Sequence, residues 1–178
     1  MLHRLQQEHK HIDVLLRVLE EKIETLKAGG PVNFKLVRDV LEYMQGYAET
    51  NHHPLEDVIY QYYLSKYQDT HGTSRLMLEH ESLTKTSEDL VNSVSLILSD
   101  VVVPKEKLIE QIAEYVRNQR EHINYEERDI FPLLKRLMPH DWDNIVKICR
   151  EQPDYDPMLS RVDNIPYSIK VASGSVKT

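Results

Sequence analysis

The sequence predicts an all-α protein: an antiparallel up-down-up-down four-helix bundle with a short C-terminal helix and an extended tail. Apolar residues recur at three- and four-residue intervals over four long stretches, which is the period of one face of an α-helix. No stretch alternates apolar and polar residues convincingly, as a half-buried strand does. The connections between the four stretches are short, and short connections join antiparallel neighbours.

The first two predicted helices have clear boundaries. The first ends at the Ala-Gly-Gly-Pro segment 28–31, because two glycines followed by a proline end a helix. Asn33 can cap the second helix, which reaches about Lys66. Each apolar stripe includes a histidine: the stripes consist of Leu2, Leu5, His9, Ile12, Leu16, Leu19, Ile23 and Leu26, and of Leu41, Met44, Ala48, His52, Ile59 and Tyr63.

The third and fourth helices follow the loop at 67–74. The third runs from about Ser74 to Ser99, and its inward residues include His80. Pro104 suits the first position of the fourth helix, which reaches about Met138. The inward residues of the third helix are Met77, His80, Leu83, Leu90, Val91, Val94 and Leu98.

The C-terminal part divides into a helix and a tail. A short fifth helix is expected from about Asp143 to Arg150. The segment 152–178 has three prolines, few periodic apolar residues and an end rich in Ser and Gly. We therefore expect one helical domain at 1–151 and a tail at 152–178 that drapes on the bundle or is disordered.

Composition excludes several classes of protein. The net charge of −7 argues against a nucleic-acid or anionic-membrane surface as the main role. The single cysteine, Cys149, cannot form an intrachain disulfide. The most apolar neighbourhood, VSLILSDVVV, is far shorter than the ~20 residues of a membrane span, and the N-terminal residues lack the apolar core of a signal peptide. We expect a cytoplasmic protein, monomeric or homodimeric.

An internal repeat relates the two halves of the bundle. The pattern L-x-x-E-H-x-x-I at 5–12 returns as L-x-x-E-H-x-x-L at 76–83. The pattern H-x-x-x-E-D at 52–57 returns as H-x-x-x-E-E at 122–127. The histidines of the first half are 43 residues apart and those of the second half 42. The bundle should therefore have an approximate two-fold axis.

The repeated residues form a predicted metal site. A His and a Glu four residues apart lie on one helical face, and the other two histidines lie on apolar stripes. Burying four imidazoles and two carboxylates without partners would be expensive, whereas a pair of metal ions satisfies them. Each metal would take two imidazoles and share two bridging carboxylates. The predicted ligands are His9, His52, Glu56, His80, His122 and Glu126.

Neighbouring residues receive other roles. His11 should point away from the site, His53 should face sideways, and Glu127 should turn outward. Pro54 suggests a local kink that aims His52 or opens a channel to the metals. Side chains within one turn of the ligands are the expected partners of the second imidazole nitrogens. They are Asp13, Thr84, Glu49 and Gln119. Tyr63 and Tyr115 are expected either to cap the pocket or donate a hydrogen bond there, or to be amphipathic core residues, and the second role is favoured.

The motifs resemble the hemerythrin-like (HHE cation-binding) family. The resemblance rests on EHKHI (8–12), NHHPLEDVIY (51–60), EHESL (79–83) and EHINYEERDIFPLL (121–134), and covers about residues 1–150. It implies a four-helix bundle holding a non-haem di-iron centre, that is, two iron ions with carboxylate and oxo or hydroxo bridges. The implied ligands are O₂, NO or peroxide-derived species, bound for sensing, storage, detoxification or protection of iron centres.

The chain departs from the oxygen carriers of that family. Those carry H-x-x-x-H on the third helix, whereas Leu76 and Thr84 flank His80 here at that spacing. Their last acid comes five residues after the histidine, whereas Glu126 comes four after His122. These differences argue against reversible oxygen carriage. They leave open an enzyme that reduces NO or peroxide and an interaction module with a zinc or vestigial site. A ferritin-like centre is disfavoured because, of the four predicted ligand histidines, only His52 has a glutamate three residues before it, namely Glu49.

Overall fold

The structure, a computed structural model, describes residues 1–69, 72–151 and 169, and its described part is helical without strands. Two π-helical segments, Gln45–His52 and Glu126–Ile130, lie between α-helices without a break. The α-helices are α1 Leu2–Lys27, α2 Phe34–Met44, α3 His53–Lys66, α4 Thr73–Leu98, α5 Lys105–Tyr125, α6 Phe131–Leu134 and α7 Pro139–Glu151.

Most of the described residues lie in four long rods. The first and third rods are α1 and α4. The second rod (34–66) joins α2, a π segment and α3, and the fourth rod (105–134) joins α5, a π segment and α6. The first rod packs against the second and fourth, and the third packs against the second and fourth. Each rod therefore has two neighbours around a common core.

Local contacts set the starts of the second and third rods. The Asn33 side chain accepts a hydrogen bond from the Leu36 N–H at 3.1 Å, as the sequence predicts. The Asp69 carboxylate accepts hydrogen bonds from the Thr73 and Ser74 N–H groups at 2.8 and 3.1 Å, and satisfies two donors that a helix start leaves unpaired.

The π segments account for both internal prolines. The N–H of His53 bonds to the carbonyl of Ala48, five residues back, and the N–H of Phe131 bonds to that of Glu126 in the same way. Pro54 and Pro132 each follow directly. Proline has no N–H to give and crowds the carbonyl four residues back, so a wider turn before it removes the conflict. Instead of a simple kink at Pro54, the second rod has eight π-helical residues ending at His52.

Two apolar clusters fill the interior. The larger includes Leu15, Leu19, Leu41, Leu90 and Ile112, and also the buried Ile169. The smaller is built from the other ends of the rods and includes Leu5, Ile59, Tyr60, Leu76 and Leu134. Along each rod the predicted ligands lie between residues of the two clusters, so the fold places a polar layer between two apolar ones.

The fourth rod ends earlier than predicted, and the next helix starts earlier. The rod stops at Leu134 rather than Met138, and α7 begins at Pro139 rather than Asp143. Asp141 is buried and accepts hydrogen bonds from the Met138 N–H at 2.8 Å and from the Tyr62 hydroxyl at 2.9 Å, and it also pairs with Lys66. These contacts start α7 and hold it against α3. The predicted tail at 152–178, except Ile169, lies outside the described residues.

Within 1–69, 72–151 and 169, no helix is both long and apolar enough to span a bilayer.

Candidate metal centre

The structure brings the six predicted ligand side chains together in the polar layer, where each is at most 4% exposed. The first and third rods give one histidine each. The second and fourth rods each give a histidine and a glutamate one turn later, with a π segment containing one of the two. The six are His9, His52, Glu56, His80, His122 and Glu126.

Glu56 lies between the two pairs of imidazoles. Its Oε1 is 3.3 Å from Nε2 of His9 and 3.2 Å from Nε2 of His52. Its Oε2 is 3.6 Å from Nε2 of His80. One carboxylate therefore faces both pairs, with a different oxygen toward each.

Glu126 occupies the matching place on the fourth rod. Its Oε1 is 3.3 Å from Nε2 of His122 and 3.7 Å from Nε2 of His80, while its Oε2 is 3.4 Å from Nε2 of His9. The Nε2 atoms of His80 and His122 are 2.9 Å apart. Two carboxylates thus bridge two pairs of inward-facing nitrogens.

Several of these buried atoms have no hydrogen-bond partner. They are Nε2 of His9, Nε2 of His52, both carboxylate oxygens of Glu56, and Oε2 of Glu126. Buried polar atoms in native proteins are nearly always satisfied, because leaving one unpaired costs roughly 1–3 kcal/mol. Convergence of so many in one layer indicates that a further group belongs between them.

A metal cation fits this place. Donors on adjacent positions of an ion with bonds of about 2.0–2.2 Å lie roughly 3 Å apart, close to the 3.2–3.7 Å between these nitrogens and oxygens. Imidazole and carboxylate suit iron, zinc and other transition metals. Two groups of the described residues have donor atoms near enough to share an ion, and both contain Glu56: one adds His9 and His52, the other His53, His80 and His122.

The outward nitrogens of the four imidazoles all meet carboxylates. The Nδ1–H of His52 donates to Glu8 at 2.7 Å, and that of His80 donates to Asp57 at 2.7 Å. The other two donors are His122 to Glu79 and His9 to Glu127, both at 3.1 Å. A protonated Nδ1 leaves the Nε2 lone pair directed inward, which is what a metal ligand requires.

These four outer carboxylates differ from the partners expected from the sequence. Each is on a neighbouring rod, so the four contacts link first rod to second, second to third, third to fourth and fourth to first. The residues expected from the sequence, which lie within one turn of the ligands, form other contacts. Asp13 pairs with Arg120, and the Glu49 carboxylate and the Thr84 carbonyl accept hydrogen bonds from the Ser87 hydroxyl. Glu127 turns out of the site, as expected, with its side chain 42% exposed, although its Oε1 lies 3.1 Å from Nδ1 of His9.

We expect the outer carboxylates to be needed for tight metal binding. Glu8→Ala should weaken metal affinity by about 10- to 100-fold, because His52 loses the acceptor that orients it. Competition with a chelator of known affinity measures the change. Glu121→Ala is the matched control, since Glu121 directly precedes His122 as Glu8 precedes His9, yet is exposed. Equal affinities for the two variants would contradict the role given to Glu8.

Tyr60 is a site residue that the sequence analysis missed. It is fully buried, and its hydroxyl donates a hydrogen bond of 2.6 Å to Oε1 of Glu126. It lies one turn after Glu56 on α3, so the four-residue spacing used to find the ligands also pointed to it. Tyr63 and Tyr115 lie in the apolar clusters, which is the core position that the sequence favoured over a role at the pocket. The Tyr115 hydroxyl accepts a hydrogen bond from Gln119 at 3.4 Å.

Tyr60→Phe should destabilise the metal-free protein by about 1.5–3 kcal/mol, because a buried carboxylate loses its hydroxyl donor. Denaturant unfolding followed by circular dichroism gives this free energy. Tyr63→Phe removes an equally buried hydroxyl whose contact is a 3.5 Å approach from Arg136, and should cost less than about 1 kcal/mol. A Tyr60→Phe protein as stable as wild type would exclude a contribution from this bond.

The cluster is strongly charged when no cation is bound. Burial lowers the pKa of His80, but Asp57 and Glu126 more than offset this and raise it to about 10. The pKa of His122 is raised to about 9, because Glu126 outweighs burial. Burial raises the pKa of Glu126, yet the imidazoles of His122, His80 and His9 lower it well below its usual value. Binding a cation therefore means displacing protons from imidazoles.

Two further histidines are buried nearby. His11 is 6% exposed, lies outside the cluster and contacts Tyr43, whose hydroxyl is 3.4 Å from its Nε2. His53 is 3% exposed, and its ring lies parallel to that of His80 with centroids 4.2 Å apart. The sequence predicted that His11 points away from the site and that His53 faces sideways. The structure places His11 outside the cluster and the His53 ring in contact with it.

Comparison with known proteins identifies the family. The profile described as the hemerythrin HHE cation binding domain matches residues 1–134, three quarters of the chain. No curated protein and no solved structure matches the chain. The matched segment contains all six converging side chains and the four outer carboxylates. The chain therefore belongs to the hemerythrin HHE cation-binding domain family.

Proposed function

We propose that this protein holds two iron ions in the polar layer and uses them to bind a small ligand. The observation that carries the proposal is the placement of Glu56, whose two oxygens are buried, lack hydrogen-bond partners and face separate pairs of imidazoles. A single ion would need only one of these two pairs of imidazoles as ligands. A carboxylate directed toward two pairs is the arrangement that bridges two ions.

The ligand sets follow from the distances. One ion would take His9 and His52, and the other His80 and His122, with Glu56 and Glu126 shared. The four protein donors leave positions open on a six-coordinate ion. When bound, such a pair supplies Lewis acidity and redox capacity. The proposed small ligands are O₂, NO or peroxide-derived species, in sensing, storage, detoxification or protection of iron centres.

The protein's own contribution is rigid and dry surroundings for the centre. The apolar clusters on both sides exclude water, and the ring of outer carboxylates holds each imidazole at a fixed angle. We further propose that the four rods alternate in direction as an up-down-up-down bundle over 1–151. The smaller apolar cluster supports this topology, because it contains Leu5 and Leu76 from the starts of the first and third rods and Ile59 and Leu134 from the ends of the second and fourth.

A cleft of about 470 Å³ offers a route toward the centre. Its wall includes Glu49, His53, Pro54, Asp57 and His80, so it reaches an imidazole of the proposed second ion. A ligand that enters there meets a carboxylate-rich mouth with one lysine, Lys85. Small uncharged molecules such as O₂ and NO would not be repelled by this charge.

Metal analysis of purified protein tests the proposal. Protein reconstituted anaerobically with Fe²⁺ and then desalted should retain two iron atoms per chain. His80→Ala and His122→Ala should each lower this content sharply, whereas His11→Ala should leave it unchanged, because His11 lies outside the cluster. Protein that retains no iron, or the same amount in all three variants, would overturn the proposal.

An enzyme that reduces NO or peroxide is the alternative within the same site. It would consume its substrate repeatedly when given an electron donor, whereas a binding protein would take up one equivalent and stop. Steady-state consumption by the iron-loaded protein, absent from His122→Ala, would favour the enzyme.

A further inference from the structure

An arginine occurs at the same place in both halves of the internal repeat. The repeated motif L-x-x-E-H is preceded by arginine each time, so that R-L-x-x-E-H is found at 4–9 and again at 75–80. Each arginine lies four residues before the glutamate, and residues at this spacing share one face of a helix. The first and third rods therefore each place an arginine beside an outer carboxylate.

The carboxylate on the first rod is held between the arginine and an imidazole. Nε of Arg4 donates a hydrogen bond of 2.7 Å to Oε1 of Glu8, and Nδ1–H of His52 donates one of 2.7 Å to Oε2. Glu8 is 4% exposed and Arg4 is 29% exposed, so water screens the two charges only in part. Because each carboxylate oxygen has its own donor, Arg4 fixes the orientation of the group that orients His52.

The third rod repeats this arrangement closer to solvent. Nε of Arg75 donates a hydrogen bond of 2.6 Å to Oε1 of Glu79, and Oε2 of Glu79 accepts one of 3.1 Å from Nδ1–H of His122. Arg75 is 75% exposed and Glu79 is 26% exposed. Exposed ion pairs contribute little because water screens the charges, so Arg75 should act more weakly than Arg4. The two imidazoles reached in this way, His52 and His122, belong to different proposed ions.

The other two outer carboxylates have no such arginine. Asp57 accepts from His80 and Glu127 accepts from His9, and in the described part of the chain neither carboxylate forms an ion pair with an arginine or a lysine. Each proposed ion would therefore have one imidazole whose outer carboxylate is neutralised by an arginine and one whose outer carboxylate keeps its full charge.

We propose that Arg4 and Arg75 are positioning residues that raise the reduction potential of the iron pair. This inference rests on the proposed function and deepens it. A hydrogen bond to a carboxylate makes a metal-bound imidazole more basic, and a more basic ligand stabilises the ferric state. The guanidinium draws the carboxylate's charge away from the imidazole, and its own charge opposes a further positive charge on the metal. Both effects favour the ferrous state.

The consequence concerns the choice between binding a small ligand and reducing it. A pair of ions with a higher reduction potential gives up electrons less readily. The two arginines would therefore favour retention of an intact ligand over its reduction, and removing them would favour reduction.

The test measures the midpoint potential of the iron-loaded protein by redox titration with mediators. It compares wild type with Arg4→Gln and Arg75→Gln, which remove the charge and keep a polar side chain, and with Arg4→Lys, which restores the charge. Arg38→Gln is the matched control. Arg38 is 32% exposed and also pairs with a glutamate four residues later, but that glutamate, Glu42, is 54% exposed.

Arg4→Gln should favour the ferric state about 10-fold more than wild type does, which is a potential about 59 mV lower for a one-electron step. Arg75→Gln should lower the potential by a smaller amount. Arg4→Lys should recover more than half of the shift, and Arg38→Gln should match wild type. A purely structural role for Arg4 would instead weaken the binding of ferrous and ferric iron together and leave the potential unchanged.

The outcomes separate this inference from the proposed function. A wild-type potential in folded, iron-loaded Arg4→Gln would overturn the inference alone. Wild-type protein that binds no iron would overturn the proposed function and the inference with it. If Arg4→Gln does not fold, Arg75→Gln decides, because Arg75 is mostly exposed and its replacement should leave the fold intact. A potential equal to or higher than that of wild type in Arg75→Gln would then contradict the inference.

Discussion

Glu126→Ala is expected to abolish binding of both metal ions, although the change removes a single side chain. Glu126 reaches imidazoles of both proposed sites, with 3.3 Å to Nε2 of His122 and 3.4 Å to Nε2 of His9. Without it each ion loses a ligand. The two cations also lose one of the two buried carboxylates that balance their positive charge. The affinity for iron should fall by more than about 100-fold. Losing an outer residue that only orients a metal ligand already lowers the affinity by about 10- to 100-fold.

Iron content and chelator competition measure this effect. Glu114→Ala is a control on the same rod, because Glu114 is exposed. Glu126→Gln separates the effect of charge from that of volume, because it keeps the side-chain size and one oxygen. Its affinity for iron should lie between those of Glu126→Ala and wild type. Retention of two irons in Glu126→Ala would show that this carboxylate does not bridge the pair.

The six converging residues illustrate what a sequence can predict about a buried site. The repeat identified four histidines, each on an apolar stripe, where a buried polar side chain needs a partner. They are His9, His52, His80 and His122. Helical periodicity fixed which face each side chain takes, and the pairing of four-residue neighbours added the two glutamates. The all-helical fold followed from the same periodicity. Each of these inferences uses the residues of a single helix and requires no knowledge of how the helices pack together.

The outer carboxylates were missed because they depend on contacts between helices. Residues adjacent on a helix point about 100° apart, so Glu8 beside His9 faces the neighbouring second rod and bonds to His52. Asp57 beside Glu56 likewise bonds to His80 on the third rod. The sequence did contain the relevant pattern: a glutamate directly precedes His9 and His80, and an acidic residue directly follows Glu56 and Glu126. Recognising it required knowing which rods are neighbours.

The π segments were missed for a different reason. Apolar periodicity changes little when one turn widens, so the pattern around 45–52 and 126–130 still reads as α-helix. The prolines at 54 and 132 marked the two places, but a kink and a π turn are equally compatible with a missing N–H. The choice between them is set by packing of the surrounding rods.

Removing the metal with a chelator should lower the melting temperature by about 8–16 °C. A ligand present at 1,000 times its dissociation constant stabilises the native state by about 4 kcal/mol, and a protein of this length shifts by roughly 2–4 °C per kcal/mol. Differential scanning calorimetry of loaded and chelated protein gives the shift. Adding Fe²⁺ back should restore it, which separates metal loss from damage.

The size of this shift depends on what the metal-free cluster does with its charges. The imidazoles and carboxylates can pair as ions, since the pKa of His80 is raised to about 10 and that of Glu126 is lowered. Such buried pairs recover little net stability, however, because desolvation offsets their attraction. His122→Ala should melt below the chelated wild type, because it leaves the buried Glu126 carboxylate without this imidazole, and it should not respond to chelator. If chelated and loaded wild type melted together, the ion pairs alone would be sufficient to hold the layer, and the metal would contribute nothing to the fold.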